Sequence, residues 1–127
     1  MSEHDEQVAL FNILSLYEDK YRKLKWIFAI PNGGHRHIAV AKRMKSEGVK
    51  SGVWDIFVPC LMGYSYEIDW GGLFIEMKHG SNKLTDSQLS FKNDLGGAYQ
   101  WAVCYSAIEA AHAIGEYLQI QELTDVV

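Results

Sequence analysis

The segment Gly71-Gly72-Leu73-Phe74-Ile75-Glu76-Met77-Lys78 constrains this chain more than any other. Its first five residues suit an apolar β-strand, and that strand runs directly into two charges. On a strand, side chains two apart point to the same face, so Glu76 and Lys78 project together, about 6 to 7 Å apart along the chain, with Met77 on the opposite side. The apolar lead-in puts them at the edge of a core, where charge needs a purpose or a partner. Two readings stay open: a structural ion pair of Lys78 with Glu76 or Asp55, or a site where a carboxylate and an ammonium meet a ligand. The other Glu-any-Lys triplet, Glu18-Asp19-Lys20, lies at a helix end, where residues two apart do not share a face.

The remaining elements can be read around that strand. Ser2 and Asp5 fit a helix N-cap with an acidic third position, and Val8, Leu10, Phe11, Leu14 and Tyr17 recur at helical period, so a first helix is expected from Glu3 to Lys20. Trp26 to Ile30 reads as a strand ending at the Pro31-Asn32-Gly33-Gly34 loop signal. His37 to Glu47 reads as a second amphipathic helix, closed by Gly48 and presenting Lys42, Arg43 and Lys45 outward. Val53 to Leu61 reads as a strand, with Asp55 near its start. It should neighbour the strand that ends in Lys78. Thr85 and Gln88 form a capping-box pattern that opens a helix to Leu95, where Gly96-Gly97 stops it. Gln100 to Tyr105 is an apolar strand, and Ser106 caps a last helix through Ile108, Ala111, Ile114 and Leu118. The order implies an α/β layer architecture, one mixed sheet flanked by helices.

A length of 127 residues with 48% hydrophobic content allows one domain, 1–127, with a real core. The acidic, polar start and the lack of any apolar run near the roughly 20 residues of a membrane span point to a soluble, intracellular protein. Cys60 and Cys104 sit in apolar stretches away from zinc-ligand spacing and read as buried thiols of a reducing compartment. The net charge of -4 is unevenly spread. Nine of the twelve Lys and Arg lie between Lys20 and Lys50, against the single acid Glu47, while the rest of the chain is strongly acidic. This suits a protein that grips phosphates in one place and holds metal with carboxylates in another, although a solvated helix face would look the same.

If Asp55 arrives on the neighbouring strand, two carboxylates converge beside Lys78. Hard oxygen ligands of that kind favour Mg²⁺ or Mn²⁺. Lys78 would then orient the attacking water and stabilise charge on phosphorus oxygens.

Three blocks together, Ile30-Pro31-Asn32-Gly33-Gly34, Glu47 through Asp55, and Leu73 through Gln88, resemble the VRR-NUC domain, a branch of the PD-(D/E)XK nucleases. The resemblance runs from about Glu3 to Leu118, with the blocks in the family's order. It implies a restriction-endonuclease-like core with Asp55 and Glu76 as metal-binding acids and Lys78 as the catalytic lysine. It further implies the backbone carbonyl of Met77 as another metal ligand and Gln88 facing the site from the following helix. A Glu four residues before a Gln in the first helix completes the family's acidic cluster; Glu3 with Gln7 fits that spacing, and Glu6 competes with it. One departure is visible: Trp54 stands where the family usually has Pro.

The activity implied is metal-dependent hydrolysis of DNA in a bacterial or phage setting. By similarity to single-domain junction-resolving enzymes, branched DNA such as a four-way (Holliday) junction would be cut by a homodimer. A dedicated element for reading base sequence is not evident. The loop residues Asn32, Gly33, His35 and Arg36, together with Lys42 and Arg43, are the candidate DNA contacts, although a plain turn also explains the glycines. His35 and His37 lack Cys partners for zinc. Trp54, Trp70 and Trp101 read as core or interface residues rather than base-stacking platforms. The alternatives are a non-catalytic DNA-binding module on the same scaffold and, more weakly, a protein-interaction domain.

Overall fold

The structure is a computed structural model, and it describes residues 1–31, 37–63 and 67–127. Helix α1 spans Glu3–Tyr17 and begins with the capping box read from the sequence. The Ser2 hydroxyl accepts from the Asp5 amide at 3.1 Å, and the Asp5 carboxylate accepts from the Ser2 amide at 3.2 Å. Its buried stripe is Leu10 and Leu14. The helix stops at Tyr17, short of Lys20, because the chain turns there to form a 3-10 segment, Arg22–Trp26. That segment drops Leu24 into the core at 2% exposure. The strand expected from Trp26 to Ile30 is therefore reduced to β1, Phe28–Ala29. A short apolar run does not distinguish a strand from one tight helical turn that buries a single leucine.

Strand β2 covers Ile56–Val58, β3 covers Leu73–Met77 and β4 covers Gln100–Cys104. The sheet order is β1-β2-β3-β4, with β2 antiparallel to both β1 and β3 and β4 parallel to β3. This is the mixed sheet expected. The segment from Val53 to Leu61 is strand only at its centre, because its flanks turn away to carry Asp55 and to reach a bridge between Met62 and Trp70.

Alternation along β3 divides the fold into two packed layers. Leu73, Ile75 and Met77 join Ile56, Val58 and Cys104 in a core shared with Leu10 and Leu14 of α1 and with α4, Ala107–Leu118, which buries Ala110, Ala111 and Ile114. The opposite face carries rings: Phe74 stacks on Trp101 with centroids 4.9 Å apart, and Phe57, Tyr99 and Phe91 of α3 (Asp86–Leu95) close around them. The parallel β3–β4 pair requires a crossover, and α3 supplies it.

The helix expected after His37 is present as α2, Ile38–Ser46, but it buries none of its residues. Ile38 is 74% exposed and Val40 40%, while Met44 is half-buried, so much of the apolar side of this helix faces outward. A final short helix, α5 (Gln121–Thr124), was not anticipated. Leu123 anchors it with no exposed surface, and Glu122 accepts a hydrogen bond from the Tyr21 hydroxyl and pairs with Lys20 at 3.0 Å. Both cysteines are buried free thiols. Among the described residues, no helix is long and apolar enough to cross a membrane.

The packing of α5 on α4 depends on Gly115, where an added Cβ would lie 2.8 Å from Leu123 Cβ and Thr124 Cγ2. Gly115→Ala should lower stability by roughly 1–3 kcal/mol through overpacking, read as a fall in the urea midpoint with little change in slope.

Candidate functional site

The site grows out of strand register. Because Ile56 faces Ile75, the next position outward sets Asp55 beside Glu76, on the ring-bearing face of the sheet. Each acid bonds to the other strand's backbone. The Asp55 amide donates to Glu76 Oε1 at 3.2 Å, and the Met77 amide donates to Asp55 Oδ2 at 2.9 Å. The Asp55 carbonyl in turn accepts from the Ile30 amide at 2.7 Å, which extends the alignment to the loop end of β1.

Lys78 follows β3 and is fixed by its amide, which donates to the Cys104 carbonyl at 2.9 Å. Its ammonium lies 3.4 Å from Glu76 Oε2. Glu76 is 3% exposed and Lys78 8%, the two buried charged side chains among the described residues. The ion pair weighed as a structural alternative is thus formed, and it is formed inside a group containing a second carboxylate. Gln88 does both things expected of it. Its side-chain carbonyl accepts from the Thr85 amide at 2.9 Å to complete the capping box of α3, while its amide nitrogen donates to Glu76 Oε2 at 2.9 Å.

Electrostatically the cluster is short of positive charge. Burial, followed by the neighbouring Asp55 carboxylate, pushes Glu76 up to about 7, against the opposing pull of Lys78. Two carboxylates are hard oxygen donors, and a divalent cation between them would relieve the repulsion that helps raise Glu76. The two carboxylates are thus chemically suited to a hard divalent cation such as Mg²⁺ or Mn²⁺.

The residue before Asp55 is part of this construction. Trp54 is 1% exposed, packs edge to face on Trp101 at 5.0 Å, and donates from Nε1 to the Gln88 carbonyl at 3.0 Å. Two residues earlier, Gly52 has a φ of +88° and lies against the first turn of α3, where a Cβ would come 2.7 Å from the Ser87 carbonyl oxygen. The sequence reads Trp54 as a core or interface residue, and its burial fits the first; its bond to α3 carries no sequence signature.

The remaining candidates are distributed differently. Glu3 lines a shallow cavity with Ser2, His4, His79 and Asn82, and among the described residues no group of three His, Cys, Asp or Glu could hold a metal ion. Glu3 is thus not gathered with Asp55 and Glu76 into a three-ligand group. Glu6 accepts the Ala107 amide at 2.6 Å and so helps cap α4. Lys42 and Arg43 are exposed on α2, with Arg43 Nε 3.9 Å from Glu47. His37 caps that helix, its Nδ1 accepting from the Ala39 amide at 3.2 Å. Asn32, Gly33, His35 and Arg36 lie outside the described residues.

The elevated Glu76 makes a stability prediction. A carboxyl raised from 4.5 to about 7 in the fold contributes stability below its ordinary value and loses it as pH rises through 7. In EDTA, Glu76→Gln should gain stability relative to wild type between pH 5 and pH 8, by on the order of 2 kcal/mol. Urea titrations of both proteins at the two pH values measure the difference; a constant gap would contradict the assigned cause.

No family model and no curated protein matches the chain. A solved structure does match: a VRR_NUC domain protein superposes with a TM-score of 0.72 at 22% sequence identity, over 94% of this chain and 90% of that one. The chain therefore has the α/β fold seen in a VRR_NUC domain protein, a mixed four-stranded sheet flanked by helices.

Proposed function

We propose that the chain, as a single nuclease domain, is a divalent-metal-dependent DNA endonuclease that hydrolyses phosphodiester bonds. The observation that carries this reading is the convergence of Asp55, Glu76 and Lys78 at one end of the sheet, with Gln88 reaching in from α3. The shared fold with a VRR_NUC domain protein supports it.

In this reading Asp55, Glu76 and the Met77 carbonyl would hold Mg²⁺ or Mn²⁺. When bound, such an ion would supply Lewis acidity toward the phosphate and favour ionisation of water. Lys78 orients the attacking water and stabilises charge on the phosphate oxygens; its burial in a water-poor setting strengthens that interaction. Water adds to phosphorus as the bond to one sugar oxygen breaks. Gln88 steadies the Glu76 carboxylate in the orientation the ion needs. The basic helix α2, with Lys42 and Arg43, contacts the DNA backbone, together with Asn32, Gly33, His35 and Arg36. A branched substrate cut by a homodimer is the specific form proposed, because two strands of a junction call for two sites.

A second reading, a non-catalytic DNA-binding module, draws on the Glu76–Lys78 ion pair, which by itself satisfies a structural role. One set of measurements separates them. Labelled four-way junctions, forks and linear duplexes are incubated with Mg²⁺ or Mn²⁺, and Mn²⁺ binding is followed by calorimetry. The nuclease reading expects cleavage of branched DNA by wild type, a loss of at least about 10²-fold in Lys78→Ala with Mn²⁺ binding retained, and loss of Mn²⁺ binding in Asp55→Ala. Indistinguishable products from wild type and Lys78→Ala would sink it. The binding-module reading expects no metal-dependent cleavage and DNA affinity unaltered by Glu76→Ala. Sedimentation at micromolar concentration tests the dimer.

A further inference from the structure

We infer that Trp54 is a positioning residue for the metal site, acting through Gln88; the inference rests on the metal-site reading above. Four observations converge on it. Trp54 immediately precedes Asp55, so a displacement of one moves the other. Its indole is almost wholly enclosed at 1% exposure, which leaves its N–H no route to water. That N–H donates to the Gln88 backbone carbonyl at 3.0 Å, and the Gln88 side-chain amide donates to Glu76 Oε2 at 2.9 Å. Gly52, lacking a Cβ, brings the same loop against the Ser87 backbone, one residue before Gln88.

Together these contacts form a clamp. The loop carrying Asp55 grips the first turn of α3, and that turn delivers the amide that orients Glu76. The two acids are held at a fixed mutual position by one indole bridging their supports. A carbonyl in the first turn of a helix is ordinarily committed to the amide four residues on, and its second lone pair is open to a donor of this kind. A proline at position 54 has no donor to offer, so the linkage belongs to the tryptophan. Removing the N–H should release Gln88 from Glu76 and weaken the ion site about tenfold, the low end for loss of a group that orients a ligand.

The test compares Trp54→Phe with Phe91→Leu. Phe91 belongs to the same ring cluster and to α3, but it contacts Phe74 and Trp101 rather than the Gln88 carbonyl. The Gln88 side-chain amide is followed by ¹H–¹⁵N NMR in metal-free protein, Mn²⁺ affinity by calorimetry, and stability by urea titration. Trp54→Phe should shift the Gln88 amide toward the position of a solvent-exposed glutamine and weaken Mn²⁺ about tenfold. Phe91→Leu should lose stability and leave both readings unchanged. If Trp54→Phe fails to fold, 3-benzothienylalanine at position 54 retains the bicyclic shape and lacks only the N–H, and the same expectations apply. An unchanged Gln88 amide with wild-type Mn²⁺ affinity in a folded position-54 variant would overturn the inference, as would equal effects from Phe91→Leu. Wild-type protein that binds no Mn²⁺ would instead overturn the metal reading, while the amide signal would still decide whether Trp54 positions Gln88.

Discussion

The structure depends on burying β3 along its whole length even though the strand ends in charge. Leu73 to Met77 lie under helices on one face and aromatic rings on the other, and Glu76 is as enclosed as its apolar neighbours. A buried carboxylate without partners would be strongly unfavourable. The fold meets that requirement by surrounding Glu76 with the Asp55 amide, the Gln88 amide and the Lys78 ammonium. The same requirement dictates where β2 and α3 must stand.

That arrangement compensates only partly. A second carboxylate, Asp55, is brought against the first, and its bond to the Met77 amide ties it there. Burial, together with the repulsion between the two carboxylates, holds Glu76 well above its ordinary range. The reciprocal bonds of each acid to the other segment's backbone set the positions of the two acids.

The two faces of the sheet divide the work. The aliphatic layer under α1 and α4 supplies most of the apolar burial, and α5 closes it at the C-terminal end. The aromatic layer under α3 does something narrower: its large rings brace a helix turn and a loop against the site, through the Trp54–Trp101 contact and the Trp54 N–H. Helix α2 contributes no fully buried residue to either layer, and its cations are exposed.

Much of this was legible in the sequence because it depends on local periodicity. Alternation along Leu73 to Lys78 put Glu76 and Lys78 on one face, the Ser2, Thr85 and Ser106 caps marked three helix starts, and the order of elements implied a mixed sheet. Properties that involve two distant segments were decided by tertiary structure. Trp26 joined a 3-10 turn because Leu24 needed the core, Glu6 went to the start of α4, and Glu3 came to lie beside His79 and Asn82. The Trp54 to Gln88 bond likewise spans residues unrelated by any repeat. Periodicity reports which way a side chain points from its own backbone; which group it meets there depends on the packing of the whole chain.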